Sequence, residues 1–298
     1  MSFAGDVKTE LCRGKLGDKS AAQAEACGVL LYCNRFTLDQ VKIVTESPAF
    51  AKRLPGLFRK AFGLTFDEKG DPGTPGKRIF TIGDRAKLAL LWEVCAFDPS
   101  DPAHHINFGL LEDGPCRVAF LRGAFLAGGS VTDPQKGYHL ELATTHLRVS
   151  RELHTLLLEL GYTPKETTRK ANYITYFKQS DQIEDFLTLI GAPVAAMSVM
   201  SAKLEKDLRN SVNRRLNCDS ANLDKAVEAA QEQLESIRKL QRAGLLDQLP
   251  DKLQLTAALR LENPELTLSE LAEEFDPPVT KSCLNHRLRK ITQLAKGL

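Results

Sequence analysis

Three landmarks recur along this chain at a nearly fixed spacing. Gly28 precedes Gly123 by 95 residues, Gly63 precedes Gly161 by 98, and Ile79 precedes Ile174 by 95. A near-constant offset of this kind marks an internal duplication with small loop differences. It restricts the first two-thirds of the chain to two copies of one unit, with repeats over about 20–95 and 116–191.

Hydrophobic periodicity and punctuation fill in each copy. A short helix over 2–13 precedes the first repeat. The apolar run Ala24 to Phe36 predicts a helix, Gln40 to Glu46 a half-buried strand, and Ser47-Pro48 the capped start of a helix that runs past Pro55 to Gly63. Leu64 to Phe66 and Arg78 to Ile82 read as a hairpin around the tip DEKGDPGTPGK, and Ala86 to Val94 as a closing helix. The second copy gives a helix over 118–127, an extended segment from Ser130, a strand over 138–142, a helix over 146–160, paired strands at 162–168 and 173–178, and a helix over 183–190. Two further helices are expected, at 197–216 and 220–241. The second carries apolar residues at 223, 227, 230, 234 and 237, a seam that packs on its own neighbours or on a partner.

Composition excludes several classes. Of 298 residues, 43% are hydrophobic and the formal net charge is only +2, so any nucleic-acid contact must come from a local basic surface. No apolar run reaches the roughly 20 residues that span a bilayer, and the N-terminus lacks the apolar core of a signal peptide, so the expected location is cytoplasmic. Seven cysteines, odd in number and never spaced as CxxC, argue against a disulfide framework and against zinc. In PAHHIN (102–107) the paired histidines are expected to be solvent-exposed and not metal ligands, since no acid or cysteine lies at ligand spacing. No metal and no cofactor is expected.

The stretch Leu121 to Ser130, LRGAFLAGGS, resembles the LAGLIDADG helix of homing endonucleases. In that family two such helices pack side by side at a pseudo-twofold axis, and an acid before the last glycine of each holds a metal ion. The resemblance implies an α+β saddle of two αββαββα units. Here the acidic positions are Cys33 and Gly128, which predicts that the metal chemistry is lost. Tyr32 stands where the second copy has small Ala127, which predicts looser packing than in the nucleases.

The C-terminal stretch is all-helical. Pro250 opens a helix through Leu261, and Thr267 with Glu270 forms a capping box at the start of a short second helix, with Leu266 placed to staple onto Leu271. Asp276-Pro-Pro-Val makes the turn and Thr280 caps a third helix. Its core face is Leu284, Leu288 and Ile291. The opposite face carries Ser282, His286 and Arg289, flanked by Asn285 and Lys290. From Pro277 onward come Lys281, Arg287, Arg289, Lys290 and Lys296, and no acid. This is the pattern of a helix-turn-helix whose last helix fits a major groove. The candidate DNA-binding residues are Lys281, Ser282, Asn285, His286, Arg287, Arg289 and Lys290; no catalytic residue is expected.

The segments NRRLNCDSANLDKAVEAAQEQLESI, LPDKLQLTAALRLENPELTLSEL and KSCLNHRLRKI, with MSFAGDVKTEL and FLRGAFLAGGSVTDPQKGYHLEL, resemble the WhiA family of bacterial regulators nearly end to end. The expected organisation is a degenerate LAGLIDADG-like domain at 1–195, a helical connector at 196–244 and a helix-turn-helix domain at 245–298. The resemblance implies a nucleoid-associated transcription regulator that acts on double-stranded DNA, linked to cell division, chromosome segregation and, in spore formers, sporulation. It also implies a protein partner, an iron–sulfur WhiB-like protein in some lineages or the transcription machinery. The alternative is a protein-interaction scaffold whose helical domain docks a protein. Mixed charge on the predicted strands (Arg35, Lys42, Arg78, Lys170 and Lys178 among Asp39, Glu46 and Glu141) argues against a saddle that grips DNA.

Overall fold

In the computed structural model, residues 2–71, 76–101 and 103–298 are described, and they form two compact units, Met1–Lys206 and Asp207–Leu298. Residues 72–75 of the hairpin tip, with Met1 and Pro102, lie outside the described residues. Among the described residues, no helix is long and apolar enough to cross a membrane.

The first unit opens with α1 (Phe3–Arg13), whose first turn is capped by the Ser2 hydroxyl, and α2 (Lys19–Tyr32), capped by Asp18. Then come β1 (Arg35–Phe36), β2 (Val41–Thr45), α3 (Pro48–Phe62), β3 (Arg78–Ile82) and α4 (Arg85–Val94). The second copy is α5 (Gly114–Gly128), β4 (Gly129–Val131), β5 (Leu140–Thr144), α6 (Leu147–Glu159), β6 (Lys165–Arg169), β7 (Asn172–Phe177) and α7 (Ser180–Ile190). The sheets run β1-β2-β3 and β4-β5-β7-β6, antiparallel throughout. β2 therefore matches β5 and β3 matches β7. The counterpart of β6 is reduced to a single bridge between Glu68 and Thr81. The expected strand at 64–66 is absent: β3 spends its length on β2, and only the chain at Asp67 and Glu68 reaches its other edge.

Three other expectations change. α2 starts five residues before Ala24 and stops at Tyr32, because the Asn34 side chain turns to accept a hydrogen bond from Val44 N (2.8 Å), which leaves Arg35 and Phe36 free to pair with β2. The connector is one helix, α8 (Pro193–Arg242), 50 residues long, and not two. The residues between the expected helices, Asn217 to Asp219, are weak helix formers, but neither proline nor glycine is among them. His104 is buried, contrary to the expected surface position. Its ring stacks on Phe36 at 4.9 Å, its Nε2 lies 2.7 Å from the Phe36 carbonyl, and it meets His146 edge-on at 4.5 Å.

The core of this unit is built on α2 against α5, and their contact is closer than Tyr32 predicted. A Cβ placed on Gly28 would lie 2.3 Å from Phe120 O and 2.9 Å from Ala124 N. One placed on Gly123 would lie 2.0 Å from Glu25 O and 3.1 Å from Val29 N. Shifting 120 and 124 back by the repeat offset gives 25 and 29, so the two glycines make the same contact in reverse. That is a pseudo-twofold axis, carried on backbone that only glycine leaves bare. Tyr32 packs lower down, against Gly128.

The same junction holds a buried charge. Glu25, 1% exposed, takes a bidentate pair from Arg53 of α3 at 2.6 and 2.9 Å, with Arg122 of α5 at 3.5 Å. Arg53 also donates to Gly14 O. One carboxylate thus ties three helices, and the desolvated pair is stable only while both partners stay. At the far side, both carboxylate oxygens of Glu10 accept from Val194 N and Ala195 N, capping the start of α8.

In the second unit α8 continues from Asp207 and is followed by α9 (Asp251–Glu262), α10 (Leu268–Glu273) and α11 (Lys281–Lys296). Ile237, Leu240, Leu253, Leu271, Leu284, Leu288 and Ile291 form its core.

Two outcomes test this packing. Gly123→Ala should cost about 1–3 kcal/mol or more in chemical denaturation, since the clash is with backbone, while Gly137→Ala, with open space around it, should change stability by less than about 0.5 kcal/mol. Burial, then the neighbouring His104, pushes His146 from 6.5 down to about 4, and burial lowers His104 as well. A histidine with a depressed folded pKa binds its proton more tightly when unfolded. Stability should be full above pH 6.5 and fall as the pH drops toward 4; His146→Gln should flatten that slope in melts recorded across the window.

Candidate nucleic-acid interface

The last three helices position α11 by short-range rules. Thr267 and Glu270 form the reciprocal capping box, with Glu270 N to Thr267 Oγ1 at 3.3 Å and Thr267 N to Glu270 Oε2 at 2.8 Å; these bonds hold the Glu270 carboxyl below its ordinary pKa. Arg260, almost fully buried, fixes the preceding loop by donating to Leu266 O at 2.6 Å. Across the turn Val279 N bonds Ala272 O, and the Thr280 hydroxyl accepts from Cys283 N to start α11. Lys239 of α8 donates to Ala295 O near the other end of α11.

Leu284, Leu288, Ile291 and Ala295 turn inward, at steps of 4, 3 and 4. The reverse face is set by the same spacing. Lys281, Ser282, His286, Arg289 and Lys290 are exposed, and Asn285 is half-buried. Arg287 is placed differently: its guanidinium lies 5.5 Å over the Phe275 ring, as part of the framework. Lys296 pairs with Glu232 at 2.7 Å. Lys281, Arg289 and Lys290 are therefore the cations of α11 with neither an ion pair nor a ring contact among the described residues. Gln293 is exposed one turn beyond Arg289 and completes the row 282, 286, 289, 293. The reading from sequence passed over it, although the step of four from Arg289 pointed to it. The helix before the turn is acidic, with Glu273, Glu274 and Asp276 exposed, so α10 adds no positive charge beside α11.

The first unit offers a different environment at the C-terminal ends of α2 and α5. A cavity of about 550 Å³ there is lined by Lys8, Lys77, Asn34, Ser47, Ser130 and one carboxylate, Glu46. Burial pushes the Lys8 ammonium down to about 8. The Cys33 thiol donates to Leu30 O and Arg35 O at 3.1 Å, and burial pushes it up to about 12. A Cβ on Gly128 would lie 2.5 Å from Ala143 O and 3.0 Å from the Tyr32 ring. Among the described residues, no group of three or more His, Cys, Asp or Glu is placed to hold a metal. Two ammonium groups against one carboxylate do not fit a divalent cation.

Several of the charges on the sheets are engaged within the first unit. Arg78 is buried and donates to Glu46 O and Gly76 O, Arg169 pairs with Glu141 at 2.7 Å, and the Lys178 ammonium lies 5.5 Å from the Tyr176 ring centre.

Residues 212–295 match the model of the WhiA C-terminal helix-turn-helix domain, and residues 117–209 that of the WhiA LAGLIDADG-like domain. The chain is 36% identical to the probable cell division protein WhiA of Ruminiclostridium cellulolyticum, over all of this chain and 98% of that one. It is 37% identical to the protein so named in Staphylococcus haemolyticus, over 99% of this chain and 96% of that one. Among solved structures, full-length WhiA from Thermatoga maritima covers all of this chain and 99% of its own with a TM-score of 0.61 at 22% identity. The N-terminal LAGLIDADG domain of WhiA covers 64% of this chain and 90% of its own with a TM-score of 0.51 at 20% identity. These two show the fold.

The placement separates framework from free residues. Arg287→Ala should lower the melting free energy by about 0.5–2 kcal/mol through loss of its ring contact, and Thr280→Ala by about 1 kcal/mol through loss of the cap. Arg289→Ala should stay within about 0.5 kcal/mol of the parent in the same melts.

Proposed function

Since this chain belongs to the WhiA family, we propose that it is a non-enzymatic, sequence-specific DNA-binding regulator of transcription. The observation that carries the reading is the unpaired basic face of α11, projected by a capped turn from a well-packed three-helix core. A helix of this kind enters the major groove with its outward row against base edges and its flanking cations on phosphates. In this assignment Lys281 and Lys290 hold the backbone, and Ser282, Asn285, His286 and Arg289 read bases. Arg287 supports the helix from Phe275. The working division is a scaffold or partner surface over 1–195, a connector over 196–244 and a reader over 245–298.

The LAGLIDADG-like part of the chain is degenerate. Its acidic positions, in our reading, are Cys33 and Gly128, and the space beside Gly128 is taken by Tyr32 and the Ala143 carbonyl. A carboxylate there would have to displace backbone, and without carboxylates the charge stabilisation that drives metal-assisted phosphodiester cleavage is missing. The relatives' name supports a role in cell division. The link to chromosome segregation, a sporulation role in a spore-forming host, association with the nucleoid in the cytoplasm, and a WhiB-like iron–sulfur partner extend that reading. A second reading, a protein-docking scaffold, is favoured for the first unit by the internal neutralisation of its strand charges.

The test is fluorescence anisotropy on promoter fragments selected from the host genome, across a salt series. Two phosphate contacts, from Lys281 and Lys290, predict a slope of log K against log salt of about −1.8, at roughly 0.9 per contact. Arg289→Ala should weaken the selected site by about 1–3 kcal/mol and reduce discrimination at one base pair. Lys281→Ala/Arg289→Ala/Lys290→Ala should flatten the salt dependence. Unchanged affinity and slope in that triple variant would remove α11 as the reader.

A further inference from the structure

We propose that α8 pairs with α8 of a second copy of this chain, antiparallel, through Val212, Leu216, Leu223 and Val227. From Asp207 to Ala229 every residue of α8 is solvent-exposed. That is a bare helix about 35 Å long, at 1.5 Å per residue. Isolated helices are marginal in water, and the middle of this one, NCDSAN at 217–222, is built of poor helix formers apart from Ala221. Yet one face is apolar: Val212, Leu216, Leu223 and Val227 are 48–63% exposed. Further along, the seam is spent on the unit's own core, with Leu234 half-buried and Ile237 fully buried. The stretch before Ala230 has no cover.

Two features identify the cover as the same helix reversed. Four of the five exposed large apolar residues of this stretch are placed symmetrically about the Asp219–Ser220 bond, 216 against 223 and 212 against 227; the fifth, Leu208, falls opposite Gln231. Charge is divided about the same point. The first half carries Arg209, Arg214 and Arg215 with two acids, Asp207 and Asp219, the latter at the centre itself; the second carries Asp224, Glu228 and Glu232 with one cation, Lys225. An antiparallel copy lays Leu216 on Leu223 and Val212 on Val227, and sets the arginine half against the acidic half. A parallel copy sets like charge against like. The reversed arrangement is isologous, so it closes as a dimer. An apolar cavity of about 490 Å³ lies where the second copy's Val212 and Leu216 would rest, lined by Leu223, Val227, Leu234, Leu266 and Leu268. The pairing buries on the order of 1,000 Å², at the low end for specific association. A reversible dimer follows, whether or not α11 reads DNA.

Sedimentation equilibrium of the full chain over a wide micromolar range should show a mass rising from 32.9 kDa toward twice that value. Val212→Glu/Val227→Glu should weaken association at least tenfold, and at dilutions where parent and variant are both monomeric it should leave circular dichroism and melting unchanged, because neither side chain is in a core. Direction is read by disulfide trapping with Cys218 and Cys283 replaced by serine. Chains carrying Arg209→Cys mixed with chains carrying Ala230→Cys should give a mixed linked dimer, and Arg209→Cys alone should not. Monomer at every concentration would overturn the proposal and leave the seam to a different protein. So would a dimer indifferent to the two glutamates, or linkage of Arg209→Cys to itself.

Discussion

The backbone contact between α2 and α5 is the constraint on which the first unit depends. Two helices approach this closely only where a side chain is missing from each, and here Gly28 and Gly123 supply the gaps at matching points of the two repeats. The contact sets the axis, and the axis sets where each copy's strands and outer helices fall. Once α2 and α5 touch, Glu25 has no route to solvent, and Arg53 and Arg122 become obligatory partners. A close-packed apolar junction and a buried ion pair are thus two consequences of one geometry.

Below that contact the helix ends diverge from what a metal-dependent nuclease needs. Phosphodiester cleavage of that kind wants carboxylates at the point of closest approach, where a divalent ion can bridge them. In this chain that position is filled. Tyr32 occupies volume that a small residue would leave open, and it fits because Gly128 has no side chain. The ammonium groups of Lys8 and Lys77 face a cavity with one carboxylate. The helix junction is retained because the fold requires it, while nothing in the packing requires the acids.

Much of this was legible in residue order. The repeat offset gave the duplicated unit, and capping boxes and prolines gave the last three helices to within a residue or two. What escaped the reading depended on contacts distant in sequence. Glu25 sits in an apolar run and reads as an anomaly until Arg53 is brought beside it. His104 reads as a surface residue because its partner, the Phe36 carbonyl, is 68 positions away. The packing of Tyr32 was misjudged because its size was compared with its counterpart Ala127, whereas the room came from Gly128. The break expected near residue 217 is absent because helix continuity carries the weak helix formers Asn217 to Asp219, among which there is neither proline nor glycine. On α11 the candidates share one helix, but a row of residue types does not tell Arg287, stacked on Phe275, from Arg289, which is free.

That distinction decides what a weakly charged molecule can do. With 40 cationic and 38 acidic residues, the chain has little positive charge to spare, and its location matters more than its amount. On the strands of the first unit, arginines are drawn into carbonyls and carboxylates. On α10 and the turn, acids dominate. Unpaired cations also stand on α8, where Arg209, Arg214 and Arg215 lie half a helix away from its acids, but α11 gathers Lys281, Arg289 and Lys290 on exposed positions of one helix with no acid among them. A nearly neutral protein can still present a polyanion with a local basic surface when its other cations are paired or interspersed with acids. Such segregation weakens non-specific attraction to nucleic acid, because the remaining surface repels phosphate about as much as it attracts it. What binding remains then has to come from the one helix whose outward row also carries groups able to read bases.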